Sequence, residues 1–215
     1  MSDSVDIKAL EKKAWRSTFQ DGIWDIFFGL LFLGFGLSTL AELIDLPENQ
    51  FFDLGVIIIL IPWNMTTVLF LYLGKKFITI PRLGFVKFGA RRKKTRKRLI
   101  IFLIINVVFA FLFLILSFSG ISSMFQLNPL LDPLLVGLLL ITFPLSIFAF
   151  FLDFYRLIFY SILAGLGFFI SELFYPLVGS LYDILLSFGL IGIIIFTSGL
   201  FYLTKFLRKY PISRE

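Results

Sequence analysis

The sequence predicts an all-α integral membrane protein of six transmembrane helices paired as three hairpins. A candidate parallel internal repeat and a short N-terminal interfacial helix complete the expected fold. Three observations lead there. Hydrophobic residues make up 59% of the 215-residue chain and charged residues 16%, so polar side chains are too few to cover a water-exposed surface of this size. Six apolar runs have the length of membrane spans. All 20 Lys and Arg residues fall on one side when those runs are threaded through a bilayer.

The runs lie at 22–44, 54–73, 99–118, 133–152, 157–177 and 184–203. About 20 residues at about 1.5 Å each match a hydrocarbon core of about 30 Å. The runs lack the two-residue alternation of barrel strands, and an open strand would carry unpaired backbone groups into lipid, so helices are expected. Residues 1–21 form a cytoplasmic amphipathic segment, 22–204 the transmembrane domain with a basic cytoplasmic loop at 75–98, and 205–215 a cytoplasmic tail. No cleavable signal peptide is expected, because the first 20 residues are charged and the first apolar run is too long for a signal core.

Orientation follows from the cations. Lys8, Lys12, Lys13 and Arg16 precede the first run, and eleven basic residues lie between the second and third. Arg156 joins the fourth to the fifth, and Lys205, Arg208, Lys209 and Arg214 follow the sixth. The opposite connections carry Asp45, Glu48, Asp53, Asp132, Glu172 and Asp183 and no basic residue. The positive-inside rule then places both termini in the cytoplasm of a multi-pass plasma-membrane protein. Within the N-terminal segment, Ile7, Leu10 and Ala14 share one helical face, as expected of a helix lying on the inner surface.

An ungapped comparison at offset 130 aligns the first hairpin with the third. It pairs Glu42 with Glu172, Asp53 with Asp183, Thr67 with Thr197, Tyr72 with Tyr202, Lys75 with Lys205 and Pro81 with Pro211. Either a duplicated hairpin or the recurring composition of span ends produces such matches. Pro62, Pro144 and Gly192 interrupt spans 2, 4 and 6, where kinks or local openings are expected.

The chain has no His and no Cys, which removes imidazole catalysis, thiol nucleophiles and the usual zinc sites. No catalytic residue, cofactor or metal site is expected. Gly34-Phe35-Gly36-Leu37 lacks the Asp of an intramembrane aspartyl protease motif, Ser198-Gly199 has no base of the rhomboid kind, and Asp21-Gly22 lacks the rest of an alcohol-phosphotransferase signature. Asp21 and Asp25 lie four residues apart on one helical face at the start of span 1. Asp25, just inside the apolar run, is either a proton or cation site or else a partly buried ion pair with Arg16 or Arg156, or a solvated helix end. Glu42 and Glu172 near the opposite ends of spans 1 and 5 could attract cations. Asn64 and Asn106 near the middles of spans 2 and 3 are expected to bond to one another across helices.

The loop after span 2 is the most unusual polar segment. Pro81-Arg82-Leu83-Gly84 reads as a turn between two extended arms. Arg91–Arg98 holds seven basic residues in eight and runs into span 3, as its helical continuation beyond Gly89. With Arg82 and Lys87, the cations Arg91, Arg92, Lys93, Lys94, Arg96, Lys97 and Arg98 point to anionic lipid headgroups, at about 1 kcal/mol per residue near the surface. The expected function is therefore a non-catalytic module that holds membrane lipid or a cytoplasmic protein partner through this loop. The alternatives are a small transporter or channel, with Asp25, Glu42, Asn64, Asn106 and Glu172 along its pathway, and an enzyme acting on a lipid-like substrate. A homo-oligomer is compatible with the small-residue pairs Gly34/Ser38 and Ser161/Gly165, and nucleic acid is not an expected partner.

In this Cys-free chain, single thiols introduced as Glu48→Cys and Ser180→Cys are expected to react with an impermeant maleimide added outside intact cells. Ala90→Cys is expected to react only after lysis, and the reverse pattern contradicts the assigned orientation.

Overall fold

The computed structural model describes residues 15–43, 54–84 and 131–211, together with 97, 98, 100–102, 104–106 and 108. Among the described residues there is helix and no strand. Five helices are long and apolar enough to cross a membrane: Ile23–Ala41, Ile58–Leu83, Leu131–Leu152, Arg156–Val178 and Ser180–Lys209. Their outer surfaces are greasy: Met65 is 69% exposed, Phe150 75% and Leu177 77%. Side chains of this kind in such number need lipid around them, so the chain is an all-helical polytopic membrane protein. The third run, 99–118, is described only at 100–102, 104–106 and 108, all helical. The proposed interfacial residues Ile7, Leu10 and Ala14 lie outside the described residues.

The chain divides into two compact units, 1–87 with 188–215 and 88–187. In the first, α1 (Ile23–Leu37) tightens into a 3-10 turn at Ser38–Leu43. Ser38 and Thr39 cause this, because their hydroxyls donate back to Phe35 O at 2.6 Å and Gly36 O at 2.9 Å and compete with the regular ladder. Next comes α2 (Leu54–Gly74), which stays continuous through Pro62 rather than opening there. The hydroxyl of Thr66 donates to Pro62 O at 2.8 Å, and the Trp63 indole crosses to α1, where Nε1 donates to Leu30 O at 2.7 Å. That ring fills the notch left by Gly34, where a Cβ would meet it at 2.2 Å.

The turn-between-arms expected after span 2 is incorrect. Residues 75–83 continue the helix, first as a π turn at Lys75–Thr79 and then as α3 (Ile80–Leu83). A π turn widens the backbone and draws the ladder from i−4 to i−5, so Pro81 enters without its usual clash. Gly84, at φ 75°, ends the helix.

In the second unit, α4 (Leu131–Gly137) passes through a π turn at Leu138–Thr142 into α5 (Phe143–Leu152). Pro144 follows its π turn as Pro81 follows the other, so here the expected interruption takes the form of a widened turn. Asp153, in the left-handed region at φ 57°, reverses the chain into α6 (Arg156–Val178). The two helical stretches run antiparallel in close contact: a Cβ on Gly137 would lie 1.9 Å from Gly165 O. Thr142 Oγ1 donates to Ser161 O at 3.0 Å, and the Ser146 and Ser161 hydroxyls are 2.8 Å apart. Gly179, at φ 82°, then leads into α7 (Ser180–Lys209).

Within the first unit, α1 meets the latter part of α7 along a seam of glycines. A Cβ on Gly29 would lie 2.5 Å from Phe196 N, one on Gly199 2.6 Å from Ile26 N, and one on Gly192 2.7 Å from Leu33 N. Gly22, at φ 80°, would meet Gly199 O at 2.5 Å. The pairing is antiparallel, and it closes on Phe35 against Phe188 with ring centroids 4.6 Å apart. Backbone approach of this kind maximises dispersion contact where the hydrophobic effect between helices is absent.

Residues matched at offset 130 sit in different surroundings. Thr67 is 2% exposed and Thr197 is exposed; Lys75 pairs with a buried carboxylate and Lys205 is exposed.

Gly199→Leu is expected to lower stability in detergent by at least about 1–3 kcal/mol, because backbone rather than a movable side chain fills the space. Gly189→Ala, in the same helix with nothing within 4 Å of its Cβ position, is expected to be neutral or to stabilise by up to about 1 kcal/mol. Thermal unfolding of the two variants side by side checks this.

Candidate functional site

Most polar side chains in this structure bond to their own helices. Asn64 Nδ2 donates to Leu60 O at 2.8 Å and Asn106 Nδ2 to Phe102 O at 3.0 Å, so each amide gives a hydrogen bond to the carbonyl four residues back. Thr67 donates to Trp63 O and Thr197 to Ile193 O in the same way.

A buried cluster in the first unit, where α1 begins and α2 ends, instead gathers several bonds between segments on one carboxylate. Asp21 is fully buried. Its neighbour Gly22, in the left-handed region, caps α1 with no side chain of its own. The chain therefore folds back, and Asp21 Oδ1 accepts the Ile23 N–H at 3.1 Å. The carboxylate stands at the positive end of the α1 dipole, which favours its charge. Oδ2 receives Lys75 Nζ at 2.5 Å and the Thr79 hydroxyl. Lys75 Nζ also donates to Thr18 O at 2.5 Å, so the ammonium joins the N-terminal approach 15–21 to the helical extension 75–83.

Geometry explains why Lys75 and Thr79 act together. They are four residues apart on one face of the extension, and both reach the same carboxylate oxygen. A buried charge without such partners would cost several kcal/mol. Asp25, one turn further into α1, is also fully buried, beside the backbone of Gly199. The partner of Asp21 is Lys75, a pairing that the sequence does not suggest. The missed signal was the Lys75/Thr79 spacing, which makes sense only if span 2 continues as a helix.

The remaining sequence-derived candidates belong to several elements. Arg82 is half-buried and Nη1 donates to Ile78 O at 3.0 Å, turned back on its own helix. Lys97 and Arg98 are helical and exposed. Lys87 and the cations from Arg91 to Arg96 lie outside the described residues. Glu42 belongs to the 3-10 turn that ends α1, and Glu172 is half-buried in α6. Beside Glu172, Ser171 donates to Asp183 Oδ2 at 3.0 Å, and Asp183 is the better buried of the two acids. Among the described residues no three acidic side chains converge as a metal-holding group.

Chemically, the Asp21 cluster is a clamp. It holds a cation, a hydroxyl and a helix N-terminus on one carboxylate, and it fixes which face of residues 75–83 turns inward. Comparison with protein-family models, with curated proteins and with solved structures gives no match.

Asp21→Asn and Lys75→Met are each expected to destabilise by about 2–3 kcal/mol, below the range for fully sequestered pairs because Lys75 is 22% exposed. The double variant should lose clearly less than the two losses combined. Equilibrium unfolding in mixed micelles measures the coupling, and simple additivity would show that the pair does not interact.

Proposed function

We propose that the protein is a non-catalytic membrane module that holds anionic phospholipid headgroups through its basic loop at the cytoplasmic face of the plasma membrane. In this reading the chain makes six spans as three hairpins with both termini in the cytoplasm. One observation carries the proposal: seven cations in the eight residues Arg91–Arg98, within a chain whose 20 basic residues all fall on one side when its six apolar runs are threaded through a bilayer. Seven adjacent cations exceed what orientation requires, and each adds about 1 kcal/mol of attraction to an anionic surface.

The structure supports this at both ends of the loop. On one side, the Asp21 clamp fixes residues 75–83 as a rigid root that brings the chain out of the membrane as helix. On the other, Lys97 and Arg98 are exposed and helical, ahead of helical positions 100–102. Described helical residues therefore stand before and after the loop.

Replacing Arg91, Arg92, Lys93 and Lys94 by Gln leaves sixteen basic residues to maintain topology. Binding of the protein, held in neutral-lipid discs, to vesicles containing phosphatidylglycerol is expected to weaken by on the order of 10²–10³-fold. The affinity of the unaltered protein should also fall steeply with salt. Equal binding to phosphatidylglycerol and phosphatidylcholine vesicles would contradict the proposal.

A further inference from the structure

Residues 75–83 carry two unlike faces. Lys75 and Thr79 turn inward to Asp21. On the other side Tyr72 is 60% exposed, Phe77 62% and Ile80 43%, and Lys76 stands among them, also exposed. The Lys76 ammonium lies 5.9 Å from the Tyr72 ring centroid and 5.5 Å from that of Phe77. Among the described residues Lys76 has no carboxylate partner, since Asp21 Oδ2 is occupied by Lys75 and Thr79.

Depth assigns a role to this second face. The 21 residues of α2 span about 31 Å and so use up a hydrocarbon core of about 30 Å. Tyr72 therefore sits at the rim of the core and the nine residues of the extension at headgroup level, where aromatic rings and lysines settle. A cation between two rings here faces a layer rich in phosphate. The rings offer apolar walls to glycerol and the first acyl carbons, while the ammonium keeps its donors for an anionic oxygen.

We propose that Tyr72, Lys76, Phe77 and Ile80 form a docking face for one anionic phospholipid of the cytoplasmic leaflet, with its phosphate on Lys76 and its glycerol end against the rings. The inference rests on the orientation assigned under the proposed function and adds a defined site to the diffuse attraction of Arg91–Arg98. The Asp21 clamp makes the site specific. With Lys75 and Thr79 held inward, the extension cannot roll about its axis, and Lys76 and Phe77 stay turned to the lipid.

Native mass spectrometry of the full chain, released from micelles doped with phosphatidylglycerol or phosphatidylcholine, tests this. The unaltered protein is expected to retain phosphatidylglycerol in preference to phosphatidylcholine. Lys76→Gln should cut that retention about five-fold, the effect of one cation at the surface. Lys76→Arg should preserve it, and Phe77→Ala should reduce it. Both Lys76 and Phe77 are exposed, so these variants should elute as the unaltered protein does. The variant with Gln at 91–94 should still retain the lipid, which separates the two proposals. Retention lost in that variant but unchanged in Lys76→Gln overturns this inference and leaves the loop proposal standing, whereas the opposite pattern supports this site and leaves the loop to be decided by its own vesicle-binding measurement. Equal retention of both lipids, or no effect of Lys76→Gln, overturns the site.

Discussion

A carboxylate with no solvent exposure, at the foot of a membrane helix, must be neutralised by something fixed in place. Asp21 is such a group, and the local structure is arranged around it. Its three donors come from three places: the first turn of α1, the ammonium of Lys75 and the hydroxyl of Thr79. Satisfying them requires Gly22 to adopt a left-handed backbone and span 2 to remain helical beyond its apolar run. It also requires the approach at Thr18 to lie against Lys75. One buried charge thereby determines the course of both the chain entering α1 and the chain leaving α2.

The second constraint is steric. Because lipid is as apolar as the side chains it meets, helices gain little from hiding leucine and more from close backbone contact. Glycines at 22, 29, 192 and 199 allow α1 and the latter part of α7 to approach to backbone distance, and Gly137 and Gly165 do the same for α4 and α6. Hydroxyls complete these contacts by donating to nearby carbonyls, as Thr142 does to Ser161. The two prolines that follow π turns, Pro81 and Pro144, belong to the same economy, since a widened turn accommodates a ring that a regular helix would reject.

Much of the helical plan was legible in the sequence, because a run of about 20 apolar residues has few other uses. Five of the six runs are helices of spanning length. The segment after Gly74 was misread for a physical reason. Pro81, Gly84 and scattered cations resemble loop composition, while the interactions that keep 75–83 helical come from Asp21, more than 50 residues away. For Asn64 and Asn106, composition shows that an amide needs partners, but not that the carbonyl four residues back takes one N–H of each. Matches at offset 130 were legible as identities, yet Thr67 and Thr197 show that identity at span ends does not fix burial.

Attaching a spin label to single thiols introduced in turn from 72 to 84, in lipid discs, would test the clamped helical extension most directly. Accessibility to a polar relaxant should rise and fall with helical periodicity, low at 75 and 79 and high at 76, 77 and 80, and depth should move steadily into the headgroup layer. Two-residue alternation, or uniformly high accessibility beyond 75, would contradict a helix held in place by Asp21.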